Sequence, residues 1–209
     1  MRLASFRARG RDHVGVEVAP GQLVDAAEAL AALRDAGAMA ACTDMLTLIR
    51  AGAPVLSRLR DALLLARASG SRISRYAFQE VSWQPPVRNP SKIVCIALNN
   101  RALDAVKIKA PTDHPAFFVK PSTALAGHGQ PIELRPAYGL THPEPELGVV
   151  IGTTLRHATP EAAIEAVYGY TIVNDVTSVG MRGEDSFTVQ IFQPAADGSV
   201  SVAQAHTSY

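Results

Sequence analysis

The sequence predicts an α+β protein with a small N-terminal α+β domain over residues 1–88 and a strand-rich domain over residues 89–209. Three observations carry that expectation. The apolar period changes from two to the helical 3.6 within the first 70 residues. The stretch Q-P-P-V-R-N-P at residues 84–90 breaks the chain, because prolines deny both helix and central strand. Beyond it, apolar runs of strand length dominate and only one short helix is signalled.

Taken in order, Leu3 and Phe6 precede a polar G-R-D-H turn, and Val14, Val16 and Val18 alternate after it, the pattern of a β-hairpin. From Leu23 the spacing turns helical, with Leu23, Ala27, Leu30 and Leu33 in phase and an end near Asp35, Ala36 and Gly37. A second helix is expected over residues 43–51, with Met45, Leu46 and Ile49 inward, stopped by Gly52 and Pro54. A third, over residues 55–68, turns Leu56, Leu59, Leu63 and Leu64 inward and Arg58, Arg60 and Arg67 to solvent, and Ser69, Gly70 and Ser71 end it. Residues 76–83 read as a strand.

After the break, residues 93–98 form an apolar strand around Cys95, and residues 117–119 a shorter one ended by Lys120 and Pro121. The loop at 126–130 carries two glycines but lacks the spacing of a phosphate-binding loop, so it reads as a tight turn. Residues 147–151 read as a buried strand. Thr159 and Pro160 cap a short helix, and residues 167–173 make a further apolar strand. After Asp175 the signal thins, with residues 187–192 as the one strand candidate.

A chain of 209 residues can bury one good core plus a small appended domain. Its net charge of +1 gives no reason to expect nucleic acid or an anionic membrane as partner. Cys42 and Cys95 lack metal-type spacing and read as buried thiols. No apolar leader and no run of about 18 apolar residues is present, so a cytoplasmic protein is expected.

The chemistry gathers at H-P-E-P-E-L-G-V-V-I-G, residues 142–152. Glu144 and Glu146 are two apart at the head of a strand, so their side chains share a face. Two carboxylates about 4 Å apart repel by roughly 4 kcal/mol at an effective dielectric near 20, and they ask for a proton, a cation or open water. Asp175, at the end of the later apolar strand, can add a third oxygen. Hard oxygen ligands with open positions suit Mg²⁺ or Mn²⁺ rather than zinc. Acidic residues at strand ends are common, and from spacing alone solvated rim carboxylates are the favoured reading.

These residues resemble the fumarylacetoacetate hydrolase family, whose core carries E-x-E-L-x-V-V-I-G and, later, G-Y-x-x-x-N-D. They stand here as E-P-E-L-G-V-V-I-G and G-Y-T-I-V-N-D, preceded by P-S-K-I-V-C-I-A-L-N-N at residues 90–100 and F-V-K-P-S-T-A-L-A-G-H-G-Q-P-I at residues 118–132. The resemblance implies a mixed β-roll for the second domain, Glu144, Glu146 and Asp175 as metal ligands, and a homodimer. It implies metal-dependent cleavage of a carbon–carbon bond in a small 2-oxo or 2,4-dioxo acid, acylpyruvate-like. Oxaloacetate-type decarboxylation, hydration or isomerisation, or an inactive metal-binding remnant, are the alternatives.

The sequence also departs from the family. Many relatives carry a histidine base four residues after the asparagine of their L-N-Y motif, where Leu103 stands here. A leucine takes no proton, which leaves Asp104 as the nearest substitute beside its alternative reading as a solvated loop acid. His114 and His128 are loop histidines of ordinary surface type. His142, beside the acidic pair, is better placed to orient a ligand, and Lys120 is the candidate for holding a substrate anion. Val179 and Gly180 replace an arginine and an aspartate, with Arg182 nearby. The family's domain usually continues with a lysine-bearing strand and a Pro-Gly loop, so the roll is expected to be incomplete at its C-terminal end.

Overall fold

The computed structural model describes residues 1–70, 73–97, 99, 114–184 and 186–208. Contacts divide the chain into two compact units, residues 1–131 with 151–168, and residues 132–150 with 169–209.

The first unit is built on a five-stranded sheet in the order β4-β3-β2-β1-β5. Its strands are β1 (Leu3–Ala8), β2 (Arg11–Ala19), β3 (Gln22–Asp25), β4 (Arg75–Ala77) and β5 (Ser82–Trp83), with every pairing antiparallel. The expected hairpin is β1–β2. Arg9 and Gly10 both take positive φ at its tip, the tight turn whose twist matches paired strands. One face carries Phe6, Ala8, Leu23 and Tyr76. Gly15 leaves the space that the Phe6 ring fills, and that ring stacks on His13 at 5.0 Å and meets Tyr76 edge-on at 5.1 Å. His13 Nδ1 lies 2.7 Å from Asp25 Oδ2, a half-hidden polar pair at the rim of this cluster.

The helical reading needs correcting at its start. Leu23 belongs to β3, and Asp25 begins α1 (Ala26–Ala31) by accepting the amide of Glu28. Asp35, expected near a helix end, instead caps α2 (Ala36–Ala41) through the amide of Ala38. Helix α3 (Met45–Ser69) contains both later helices, broken where Gly52 turns to φ 69° ahead of Pro54, and it closes on left-handed Gly70. Leu59 is buried, but Leu64 is 68 % exposed, contrary to its inward assignment. Residues 76–83 are not one strand: a short 3₁₀ turn, Phe78–Glu80, separates β4 from β5.

The proline stretch lies along this sheet. Gln84 and Arg88 both reach Asp12, and the Ser5 hydroxyl donates to the Pro86 carbonyl. The Arg88 guanidinium holds the Asp12 carboxyl below its ordinary range. Strands β6 (Ile93–Ala97) and β7 (Ala116–Lys120) pair antiparallel. In the turn at 126–130 Gly127 lies against the Trp83 and Gln84 backbone, where a side chain has no room. Cys42 is buried as expected, whereas Cys95 is only half-buried.

The remaining elements are β8 (Thr141–His142), β9 (Pro145–Ile151), α4 (Pro160–Glu165), β10 (Val167–Asn174), β11 (Thr177–Ser178), α5 (Val179–Glu184), β12 (Ser186–Pro194) and β13 (Val200–Ser208). Thr159 caps α4 as its sequence signals, accepting the amide of Ala162. β12 and β13 pair antiparallel along their length, so the sparse C-terminal signal concealed a second strand. Among the described residues no helix is long and apolar enough to cross a membrane.

Candidate metal centre

β9 pairs with β10 and β8 with β11, and one register runs through both pairs. Thr177 stands opposite His142. Two residues further on, the Asp175 amide donates to the Glu144 carbonyl at 2.8 Å. Further still, a side chain on Gly148 would collide with Thr171 and Val173. Asp175 therefore faces Glu144, and Val173 faces Glu146. The ladder is interrupted where the acids stand, since residues 143–144 and 175–176 belong to no strand.

Burial alternates along β9, with Glu144, Glu146, Gly148 and Val150 half-covered and Leu147, Val149 and Ile151 open. The two glutamates thus share a face, as period two requires. Asp175 shares it by cross-strand pairing, which sets opposed Cβ atoms roughly 4.5–5.5 Å apart. The expectation of a buried strand at 147–151 is corrected: Leu147 is 68 % exposed, and its cross-strand neighbour Ile172 is 86 % exposed. Covered and open faces are the reverse of what the apolar run suggested.

Three carboxylates without sulfur make a donor set that fits a hard divalent cation by chemistry and by register. Of the three, Asp175 is the one withdrawn from water, 4 % exposed. Among the described residues, however, no three His, Cys, Asp or Glu side chains stand close enough together to hold an ion. Glu144 Oε1 instead accepts from His142 Nε2 at 2.8 Å. The backbone brings the acids to one place, and side-chain rotation would have to complete the set.

The other assigned residues belong to other segments of the chain. Lys120 ends β7 in the first unit, its ammonium 5.9 Å from the Phe118 ring centroid. Asp104 and Leu103 lie outside the described residues. Of Arg182, only the backbone, within α5, is described. His128 packs against Trp83 with ring centroids 6.4 Å apart, an ordinary aromatic contact.

Sequence reasoning missed Asn174. Its side-chain oxygen accepts the Glu144 amide at 3.1 Å, and an Asn-Asp pair closing a strand is the turn signal that could have singled it out.

The fold is of the fumarylacetoacetate hydrolase class, with E-P-E at residues 144–146 facing N-D at residues 174–175 along the ribbon. Residues 92–206 match the family described as Fumarylacetoacetate (FAA) hydrolase C-terminal, and the chain belongs to the fumarylacetoacetate hydrolase family.

Oxaloacetate tautomerase YcgM of Escherichia coli is 35 % identical over 109 residues, which span 51 % of this chain and 50 % of that protein. Oxaloacetate tautomerase YisK of Bacillus subtilis is 36 % identical over 108 residues, 49 % of this chain and 36 % of its own length. The chain thus matches half or less of these curated relatives. Among solved structures, the fumarylacetoacetate hydrolase of Exiguobacterium antarcticum aligns with TM-score 0.65 and 26 % identity, covering 88 % of this chain and 58 % of that one. Maleylpyruvate hydrolase from Sphingobium sp. SYK-6, in complex with manganese(II) and pyruvate, aligns with TM-score 0.59 and 28 % identity, over 86 % of this chain and 60 % of its own.

Proposed function

We propose that this protein is a metal-dependent hydrolase or lyase that cleaves a carbon–carbon bond in a small 2-oxo or 2,4-dioxo acid of acylpyruvate type. The observation that carries the reading is the register that sets Asp175 opposite Glu144 with Glu146 on the same face. Glu144, Glu146 and Asp175 would hold Mg²⁺ or Mn²⁺, the second being the ion in the maleylpyruvate hydrolase complex. Bound there, the ion supplies Lewis-acid polarisation of the substrate's 2-oxo group.

The chain's own residues do the rest. The His142 imidazole orients the Glu144 carboxylate through its 2.8 Å bond. Lys120 holds the substrate carboxylate, and Asp104 or His142 takes the proton that Leu103 cannot. The reading divides the chain into a small N-terminal α+β domain, residues 1–88, and a catalytic domain, residues 89–209. A homodimer belongs to the same reading, since the open face bearing Leu147, Val149, Tyr170 and Ile172 is apolar surface of the kind that assembly covers.

A second reading, proton transfer between the keto and enol forms of oxaloacetate, is favoured by the tautomerases YcgM and YisK. The test incubates the chain with Mg²⁺ or Mn²⁺ and follows loss of the dioxo absorbance of an acylpyruvate beside decay of oxaloacetate enol. Metal-dependent loss of the dioxo chromophore is the expected result. Enol decay alone transfers the case to the second reading, and metal binding without either reaction leaves only the remnant.

A further inference from the structure

Resting on the carboxylate reading above, we propose that Asn174 is a positioning residue that fixes Glu144 for metal binding, by supplying with its side chain the backbone bond that the ladder omits at that point. In an antiparallel pair closed by the Asp175 amide on the Glu144 carbonyl, the reciprocal bond would run from the Glu144 amide to the Asp175 carbonyl. It is not made that way. The Glu144 amide donates to Asn174 Oδ1 at 3.1 Å, and the Asp175 carbonyl accepts from the Thr177 hydroxyl at 3.3 Å.

The exchange has two consequences. Both backbone polar groups of Glu144 are held, its carbonyl by the Asp175 amide and its own amide by Asn174 Oδ1. The backbone at residues 175–176 is released from strand geometry, while the register resumes at once where Thr177 meets His142. Asp175 can therefore sit buried at the interruption without loss of alignment to Glu144.

The test uses the whole chain and two variants. Asn174→Ala removes the acceptor, and Asn174→Asp restores one at the same reach. Mn²⁺ alone is the probe, titrated calorimetrically, and exchange of the Glu144 amide is followed by NMR without metal. The expected results are slow Glu144 exchange in the wild type, fast exchange in Asn174→Ala and slow exchange in Asn174→Asp. Mn²⁺ affinity falls about tenfold in Asn174→Ala and returns in Asn174→Asp.

Fast exchange of Glu144 in the folded wild-type protein overturns the proposal, and that measurement needs no variant. Equal Mn²⁺ affinity in wild type and Asn174→Ala also overturns it. Failure of the wild type itself to bind Mn²⁺ sinks the underlying metal reading instead, so the two failures are told apart.

Discussion

Replacing Gly15 with alanine should strain the N-terminal sheet by a predictable amount. A Cβ built there would stand 2.5 Å from Phe6 Cε1 and 3.1 Å from Cδ1. Carbon atoms pack at about 3.5–4.0 Å, so the ring must retreat by roughly 1 Å. It has nowhere to go: Phe6 is fully buried, with His13 stacked on it at 5.0 Å and Tyr76 at 5.1 Å. Overpacking of this kind costs about 1–3 kcal/mol, which for a chain of this size lowers Tm by roughly 2–12 °C. Trp83, the sole tryptophan, pairs with Phe6 across β1 and β5, so its fluorescence in a urea titration reports on the right sheet. Phe6→Leu removes ring atoms at the collision point. The Gly15→Ala and Phe6→Leu double variant should be more stable than the sum of the singles, by about 0.5–3 kcal/mol. Strict additivity, or a Gly15→Ala protein as stable as wild type, would refute the packing argument.

Glu144→Gln and Asp175→Asn should each weaken Mn²⁺ binding by at least about tenfold while leaving far-ultraviolet circular dichroism unchanged; undiminished affinity in both removes the metal centre. The Asp12 carboxyl is held below its ordinary value of 3.8, first by the hydrogen bond from Arg88 and also by Gln84. A depressed folded value means that its contribution is complete above the unfolded value and is lost as pH falls through the folded one. Urea midpoints should therefore drop below about pH 4, and less steeply in Asp12→Asn; an identical acid profile in the variant contradicts the assignment. Burial pushes the Cys42 thiol up to about 11, so iodoacetamide at pH 8 should label it only after denaturation, as read by peptide mass spectrometry; fast native labelling would show that the thiol is accessible.

Local rules made much of the fold legible, and its failures have local causes. The β1–β2 hairpin, the cap at Thr159 and the stop at Gly70 follow from alternation and capping chemistry, and all three appear. Leu23 fitted a helical period by coincidence of spacing, whereas Asp25 three residues before Glu28 was the true start signal. β13 escaped notice because Ala203, Ala205 and serines dilute its apolar content, and its strand form comes from pairing with β12. The shared face of Glu144 and Glu146 was readable from period two alone. Which face is covered was not, because cover is supplied by residues distant in sequence. The alignment of Asp175 with Glu144 is likewise a property of strand register, which one strand's sequence does not encode.

Pro143 and Pro145 flank Glu144, and the register turns both of their nitrogens away from β10 and β11, toward the outer edge of the ribbon. An incoming strand would find two successive donor positions silent there, so sheet growth is blocked alongside the acids. The same pair of imino acids that looks like a flaw in a β-strand thus denies another backbone a partner alongside Glu144.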